Sequence, residues 1–140
     1  MKQRTKRAAV NRKVAFTCIG LLAGSLLALA TAKSMAAKPA LVVEMLDAPP
    51  TFQPVQTTIK AGDTVEWKNA GAQLHHVTTD PAAALKKTDV ANPPGAKPFD
   101  SGFLKPGESF RETFSVPGIY RYTCAVHEAK GMNGEVVVEK

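Results

Sequence analysis

Three residues near the C-terminus have side chains that bind soft metal ions, and their spacing places them on one short loop. Cys124 is followed by His127 three residues later and by Met132 five residues after that. Strand-like runs at 119–123 and 135–139 flank these residues. Because a loop between two strands cannot surround an ion, at least one further ligand has to come from elsewhere in the chain.

The two remaining histidines, His75 and His76, are adjacent and are the candidates for that ligand. A thiolate and two imidazoles in one trigonal plane, with a weak thioether above it, form the ligand set of a blue-copper electron-transfer site. The sulfur ligands favour Cu(I), whereas imidazole suits both oxidation states. The residue types therefore predict one copper ion that changes between Cu(I) and Cu(II).

A series of short alternating segments predicts the framework that positions these ligands. Strands are predicted at 40–46, 54–60, 63–69, 76–79, 99–104, 109–114, 119–123 and 135–139. Val65 and Trp67 share one face of the third strand, and we expect Trp67, the only tryptophan, in the core. Asp80 followed by Pro81 predicts a short helix of one or two turns in the irregular stretch 80–98. Short strands separated by proline and glycine turns predict an all-β sandwich of seven or eight strands.

The first 36 residues have the composition of an export signal. Basic residues crowd the first 13 positions, an uncharged apolar run spans 14–30, and small residues precede Ala37. This order is typical of a secretory signal peptide, and a run of about 17 residues is short for a membrane span. We predict a signal peptide at 1–36 and one domain at 37–140, with an uncleaved N-terminal anchor as the alternative.

Removal of that segment changes what the charge implies. The whole chain has a formal charge of +6, but residues 37–140 contain 11 lysines and arginines against 12 acidic residues, a net charge of −1. The electrostatic support for nucleic-acid binding is then lost. Cys124 becomes the single cysteine, although exported proteins usually pair theirs. The thiol is then buried and inert, part of an intermolecular bridge, or a functional thiolate.

A resemblance to a known family begins at the ligand loop. The pattern Y-x-C-x-x-H-x-x-x-x-M-x-G-x-V-x-V over 122–138 resembles the copper loop of plastocyanin and pseudoazurin in the cupredoxin family. Upstream, V-E-W-K-N-A-G at 65–71 and H-H-V at 75–77 resemble the family's aromatic-x-Asn-x-x-Gly run and its ligand histidine followed by x-Val. The F-D-S-G run at 99–102 and the P-G-E-S-F turn at 106–110 are similar to the middle of these proteins.

The resemblance implies a Greek-key, cupredoxin-like sandwich with one copper ion. It also implies the ligand set His75, Cys124, His127 and Met132. His76 stands where these proteins usually have Asn, whose side chain braces the ligand loop, so that ligation by His76 stays an alternative. Val126 stands where plastocyanins have Pro, which predicts a less rigid loop.

These expectations together describe an exported one-electron carrier that is not an enzyme. Its expected partners are redox proteins such as cytochromes or a membrane oxidoreductase, with no nucleic acid, and with membrane contact only through an uncleaved leader. We expect a monomer in the periplasm, or in the thylakoid lumen of a photosynthetic source. The resemblance implies that His127 lies at the surface as the exit for electrons, in an apolar patch with neighbours such as Ala72, Leu74 and Ala129.

Other functions use the same residues. A periplasmic copper chaperone or copper-buffering protein would have the same ligands and would hold and release Cu(I). A structural zinc site is disfavoured because zinc prefers nitrogen, oxygen or thiolate ligands to a thioether. Three histidines in the whole chain are too few for the trinuclear cluster of a multicopper oxidase.

Overall fold

The computed structural model describes residues 38–140, and the predicted signal peptide at 1–36 lies outside the described residues. The described part contains seven strands: β1 (Leu41–Asp47), β2 (Pro50–Gln53), β3 (Gln56–Lys60), β4 (Thr64–Asn69), β5 (Ser109–Thr113), β6 (Gly118–Thr123) and β7 (Asn133–Glu139). Its two helical segments are 3-10 turns at Lys87–Asp89 and Glu128–Lys130. Neither turn has the length or hydropathy that a bilayer span requires.

The strands form two sheets, which confirms the predicted all-β sandwich. The first sheet has the order β2-β1-β4-β5 and the second has the order β3-β7-β6. β1 pairs in parallel with β4, and β3 pairs in parallel with β7, whereas the remaining pairs are antiparallel. The parallel pairing of β1 with β4 brings the C-terminal ends of these two strands to the same edge of the sheet.

Aromatic side chains fill the space between the sheets. Trp67 is fully buried, as predicted, because β4 alternates between core and solvent. Its ring lies between 5.3 and 6.1 Å, centroid to centroid, from the rings of Phe99, Phe110, Phe114 and Tyr122. Tyr122 also makes an edge contact with Phe52 at 4.8 Å. This cluster holds β4 and β6 against each other, and both strands lead into the loops that contain His75 and Cys124.

Two segments predicted as strands, 76–79 and 99–104, do not form strands. They run side by side but make only isolated bridges, such as Thr78 to Asp100. Side-chain hydroxyls take several of the bonds that a ladder would use: Thr78 Oγ1 donates to the Phe99 carbonyl, and Ser101 Oγ accepts from the Val77 amide. Competition of this kind is typical of serine and threonine and keeps the pairing irregular.

Two further details differ from the sequence-based expectation. The proline pair at 49–50 predicted only the end of a strand, yet Pro50 begins β2. Proline is tolerated there because it is the first residue of an edge strand. In the stretch 80–98, the helical segment is a single 3-10 turn at Lys87–Asp89. The residues after Asp80 form a turn instead, in which the Asp80 carboxylate accepts a hydrogen bond from the Ala82 amide.

Candidate metal centre

The ligand loop connects β6 to β7 and is closed by its own backbone. The Cys124 amide donates to the Met132 carbonyl at 3.0 Å, which joins the two ends of the loop. Within the loop, the His127 amide donates to the Cys124 carbonyl at 2.9 Å. Gly131 ends the 3-10 turn with a left-handed φ of 81°, a conformation that glycine adopts without steric cost. The sequence between the strands therefore folds into a tight, defined loop.

His75 reaches the same place from the other sheet. Asn69 ends β4 with a buried side chain that donates to the carbonyls of Gln73 and Leu104 and accepts from the Gly71 amide. These bonds shape the loop that follows β4. The backbone of His75 then pairs with Leu104 through two hydrogen bonds of 3.1 and 2.8 Å. The histidine is therefore held on both sides, by Asn69 through the loop and by Leu104 directly.

The structure brings His75, Cys124 and His127 together. Their candidate ligand atoms all lie within 4.8 Å of one another. The Cys124 sulfur is 3.8 Å from Nδ1 of His75 and 3.6 Å from Nδ1 of His127. His75 and Cys124 are fully buried, and 3% of His127 is exposed. Two ring nitrogens and one thiol therefore converge on a single small space beneath the surface.

Each ring has its second nitrogen occupied by an acceptor. Nε2 of His75 lies 2.8 Å from a carboxylate oxygen of Asp47. Nε2 of His127 lies 3.3 Å from the side-chain oxygen of Gln73. Because a carboxylate only accepts hydrogen bonds, the proton of a neutral His75 ring is on Nε2. Nδ1 of His75 then presents a free lone pair toward Cys124, which is the state a metal ligand needs.

Burial dominates the electrostatics of the site. It raises the pKa of the Cys124 thiol, and hydrogen bonds from the backbone amides of His76, His127 and Val126 counteract that increase. Burial also lowers the pKa of His127, with a smaller contribution from the neighbouring His75. A neutral imidazole and a thiol that faces amide donors are both suited to bind a cation, since the cation would supply the charge that stabilises the thiolate.

The two other candidate ligands, Met132 and His76, are both buried but have different surroundings. Met132 is fully buried, and its carbonyl accepts hydrogen bonds from the Cys124 amide and from Oγ1 of Thr123. His76 is also buried, but its Nε2 lies 2.9 Å from the Asp100 carboxylate and its ring is near Phe103, at 5.6 Å between centroids. His76 therefore lies outside the group of three clustered residues, and its ring is bound to Asp100 rather than to the ligand loop.

A metal ion fits the clustered donors. An imidazole nitrogen and a thiolate bound at about 2.0 and 2.3 Å in a trigonal plane are separated by about 3.7 Å. The two sulfur–nitrogen distances, 3.8 and 3.6 Å, lie on either side of that value. Each ring is therefore at a suitable distance to share an ion with the thiol, and the three candidate ligand atoms lie within 4.8 Å of one another.

Asp47 is a residue of the site that the sequence did not reveal. It ends β1 and precedes the proline pair, so its position indicated only the end of a strand. The side chain lies 28 residues away from His75 along the chain and reaches it because β1 and β4 are parallel neighbours. The Ala72 amide, and then the His75 ring, hold the pKa of the Asp47 carboxyl below its usual range. β1 also contains Glu44, so an acidic residue in this strand is no signal of a site, and the sequence gives no other.

The surface next to the site is apolar on two sides. Leu74, next to His75 in the chain, is 47% exposed, and Val126, next to His127, is 46% exposed. Ala72 and Ala129 are exposed as well. His127 itself is nearly covered, so that the exposure implied by the resemblance belongs to its neighbours rather than to the ring.

Comparisons with known proteins agree with this geometry. Residues 41–139 match the family described as copper binding proteins, plastocyanin/azurin family. A chloroplastic plastocyanin from Hordeum vulgare is 31% identical over 94% of this chain and 80% of its own length. Among solved structures, a pseudoazurin from Sinorhizobium is 28% identical with a TM-score of 0.57, covering 71% of this chain and 73% of its own. A reduced amicyanin variant is 30% identical with a TM-score of 0.57, covering 75% of this chain and 87% of its own. The chain therefore belongs to the plastocyanin/azurin family of cupredoxins, and its cofactor is copper.

Proposed function

We propose that this protein is an exported one-electron carrier whose single copper ion is held by His75, Cys124, His127 and Met132. The observation that supports this function most directly is the buried Cys124 thiol, with Nδ1 of one histidine at 3.8 Å and Nδ1 of another at 3.6 Å. When bound, the ion would accept and return one electron, and no substrate would be transformed.

The chain restricts movement of the donors in a way that suits this role. Cys124 is tied to Met132 by a backbone hydrogen bond, and His75 is tied to Leu104 by two. The rings of His75 and His127 are held at their outer nitrogens by Asp47 and Gln73. Because the donors are buried and fixed from several directions, the site would change little between the two oxidation states, and water would be kept out.

Electrons would pass through the end of the molecule at which the ligand loop lies. Leu74 and Val126 offer apolar surface there, and His127 lies just beneath it. A small apolar surface allows a redox partner to approach closely and to leave again, as transient electron-transfer encounters require. The partner would be a cytochrome or a membrane oxidoreductase. The carrier would act as a monomer in the periplasm, or in the thylakoid lumen of a photosynthetic source, after removal of residues 1–36 from the domain at 37–140.

The proposal is tested by spectroscopy of the purified, copper-loaded protein. The oxidised form should show an intense visible thiolate-to-copper charge-transfer band and the electron paramagnetic resonance signal of a type 1 site, and voltammetry should be reversible. Cys124→Ser should lose the band, because it removes the thiolate. Val126→Ala, an exposed position in the same loop, should keep it.

Two results would contradict the electron-carrier function. One is a wild-type protein that binds copper without the charge-transfer band. The other is a protein that takes up Cu(I), resists oxidation and releases the ion to an acceptor, which would instead support the copper chaperone or buffer.

A further inference from the structure

Asp47 holds the candidate ligand His75 from behind, at the nitrogen that faces away from the sulfur. One carboxylate oxygen lies 2.8 Å from Nε2 of His75, while Nδ1 of the same ring lies 3.8 Å from the Cys124 sulfur. His75 is fully buried, and only a fifth of the Asp47 side chain is exposed. The ring is therefore enclosed between an anion on one side and the donor cluster on the other.

The carboxylate is itself fixed in place. Its second oxygen accepts hydrogen bonds from the amides of Ala72 at 2.6 Å and Gln73 at 3.3 Å. Its backbone belongs to the last pair of the β1–β2 ladder, opposite Pro50. The two amides and the end of β1 thus fix the position of the carboxylate. A carboxylate that is held independently of His75 can orient the His75 ring.

Space for this carboxylate depends on a residue without a side chain. A Cβ atom at Gly71 would lie 2.2 Å from one carboxylate oxygen of Asp47 and 2.7 Å from the other. Real Cβ atoms do not approach other atoms so closely, so any larger residue at Gly71 would displace Asp47. Glycine at position 71 therefore leaves room for the Asp47 carboxylate beside the loop that follows β4.

We propose that Asp47 is a positioning residue of the copper site: it fixes His75 with the proton on Nε2 and lowers the reduction potential of the ion. The inference rests on the proposed function, since it takes His75 as a ligand. Outer-shell carboxylates orient metal-bound imidazoles and increase their basicity. An added negative charge stabilises Cu(II), which carries one more positive charge, more than it stabilises Cu(I). The carboxylate therefore favours the oxidised state.

The chain offers a matched control one residue away. His76 is paired with the Asp100 carboxylate at 2.9 Å, in the same manner as His75 with Asp47, but its ring does not face the sulfur. Asp47→Asn and Asp100→Asn each remove one negative charge and keep one oxygen that can accept a hydrogen bond. In Asp47→Asn that oxygen can serve either the His75 ring or the Ala72 and Gln73 amides, which bind different oxygens of the carboxylate. Only the first of them removes the charge behind the proposed ligand.

The reduction potential of both variants separates a local effect from a general effect of charge. Second-shell changes alter metal affinity by about tenfold or more. We expect Asp47→Asn to keep the charge-transfer band and to raise the potential by about 59 mV, which corresponds to a tenfold change in the relative affinity for Cu(II) and Cu(I). Asp100→Asn should leave the potential at the wild-type value. An unchanged or lower potential in Asp47→Asn, or an equal rise in both variants, would overturn the proposal.

A second measurement needs neither copper nor a variant. Nitrogen-15 resonances of the histidine rings in the metal-free wild-type protein report which nitrogen of His75 bears the proton. The proposal requires Nε2, and a ring protonated mainly on Nδ1 would refute it even if Asp47→Asn failed to fold. If His75 is protonated on Nε2 but the copper-loaded wild type lacks the charge-transfer band, the electron-carrier function fails while the positioning of His75 by Asp47 stands.

Discussion

His75 and His76 are adjacent, buried and each paired with one aspartate, yet only one of them faces the donor cluster. Nε2 of His75 binds Asp47 and its Nδ1 points to the Cys124 sulfur. Nε2 of His76 binds Asp100, and its Nδ1 has no hydrogen-bond partner among residues 38–140. The same pair of residue types therefore forms a candidate metal ligand at one position and a structural contact at the next.

The difference follows from the backbone rather than from the side chains. Successive side chains of an extended segment point to opposite sides, so neighbours cannot both face the ligand loop. The backbone bridge between His75 and Leu104 fixes which of the two histidines faces Cys124. A carboxylate beside a histidine is thus no indication of a metal site by itself. It becomes one when the other ring nitrogen faces further ligands.

The largest expected effect comes from removing each histidine in turn. His75→Ala should abolish the charge-transfer band and weaken copper binding by more than about 100-fold, since losing a ligand exceeds the effect of losing a second-shell partner. His76→Ala should keep the band, because its side chain lies outside the cluster. Copper titration followed by visible absorption measures both. Loss of the band in His76→Ala alone would reverse the assignment of the ligand.

A smaller effect on the copper site is expected when the glycine that contacts each aspartate, Gly71 for Asp47 and Gly102 for Asp100, is replaced by alanine. Gly71→Ala crowds Asp47, because the added Cβ would lie 2.2 Å from its carboxylate. We expect a loss of about 1–3 kcal/mol in the free energy of unfolding, as for other overpacked sites, together with a raised copper potential. Gly102 donates its amide to Asp100 and has open space around it, with a φ of 63°.

Gly102→Ala is the control for that change. It should cost about 1 kcal/mol, through backbone strain alone, and leave the copper potential unchanged. Denaturant unfolding of the metal-free proteins and voltammetry of the loaded ones provide the two measurements. If both alanine variants shifted the potential equally, the effect would come from general loosening of the loops and not from Asp47.

Sequence reasoning reached the parts of this protein that depend on local patterns. β4 and β7 alternate between core and solvent, and the spacing of Cys124, His127 and Met132 is a property of one loop. By contrast, β2 was missed, because a proline pair indicates a strand end whether or not an edge strand begins there. The stretches 76–79 and 99–104 have strand-like composition, but their hydroxyl groups bond to the backbone instead of leaving it free to form a ladder.

For the candidate site, too, the sequence predicts local features better than contacts between residues that are distant in the chain. The choice between His75 and His76 came from the family pattern and not from the residues alone. Asp47 could not be found at all, because its role depends on the parallel pairing of β1 with β4. Local spacing predicts which side chains can bind a metal, whereas the residues that orient them are brought in by topology.

The smallest expected effect is the pH dependence of the Asp100–His76 pair. Burial acts to raise the pKa of the Asp100 carboxyl, but hydrogen bonds from the Gly102 amide and the His76 ring outweigh it and hold the pKa below the usual value of 3.8. A lowered pKa in the folded state means that the ionised carboxylate stabilises the fold. That contribution is complete above pH 3.8 and is lost as the pH falls through the lower folded-state pKa.

Metal-free Asp100→Asn should therefore be less stable than the wild type at pH 6, and the difference should shrink below about pH 4. Because 40% of the Asp100 side chain is exposed, solvent screening limits the difference to less than about 1 kcal/mol. Denaturant midpoints measured across this pH range decide the matter. A difference that grew toward acid pH would mean that Asp100 does not support the fold as a carboxylate, and the likeness between the two histidine pairs would then end at their geometry.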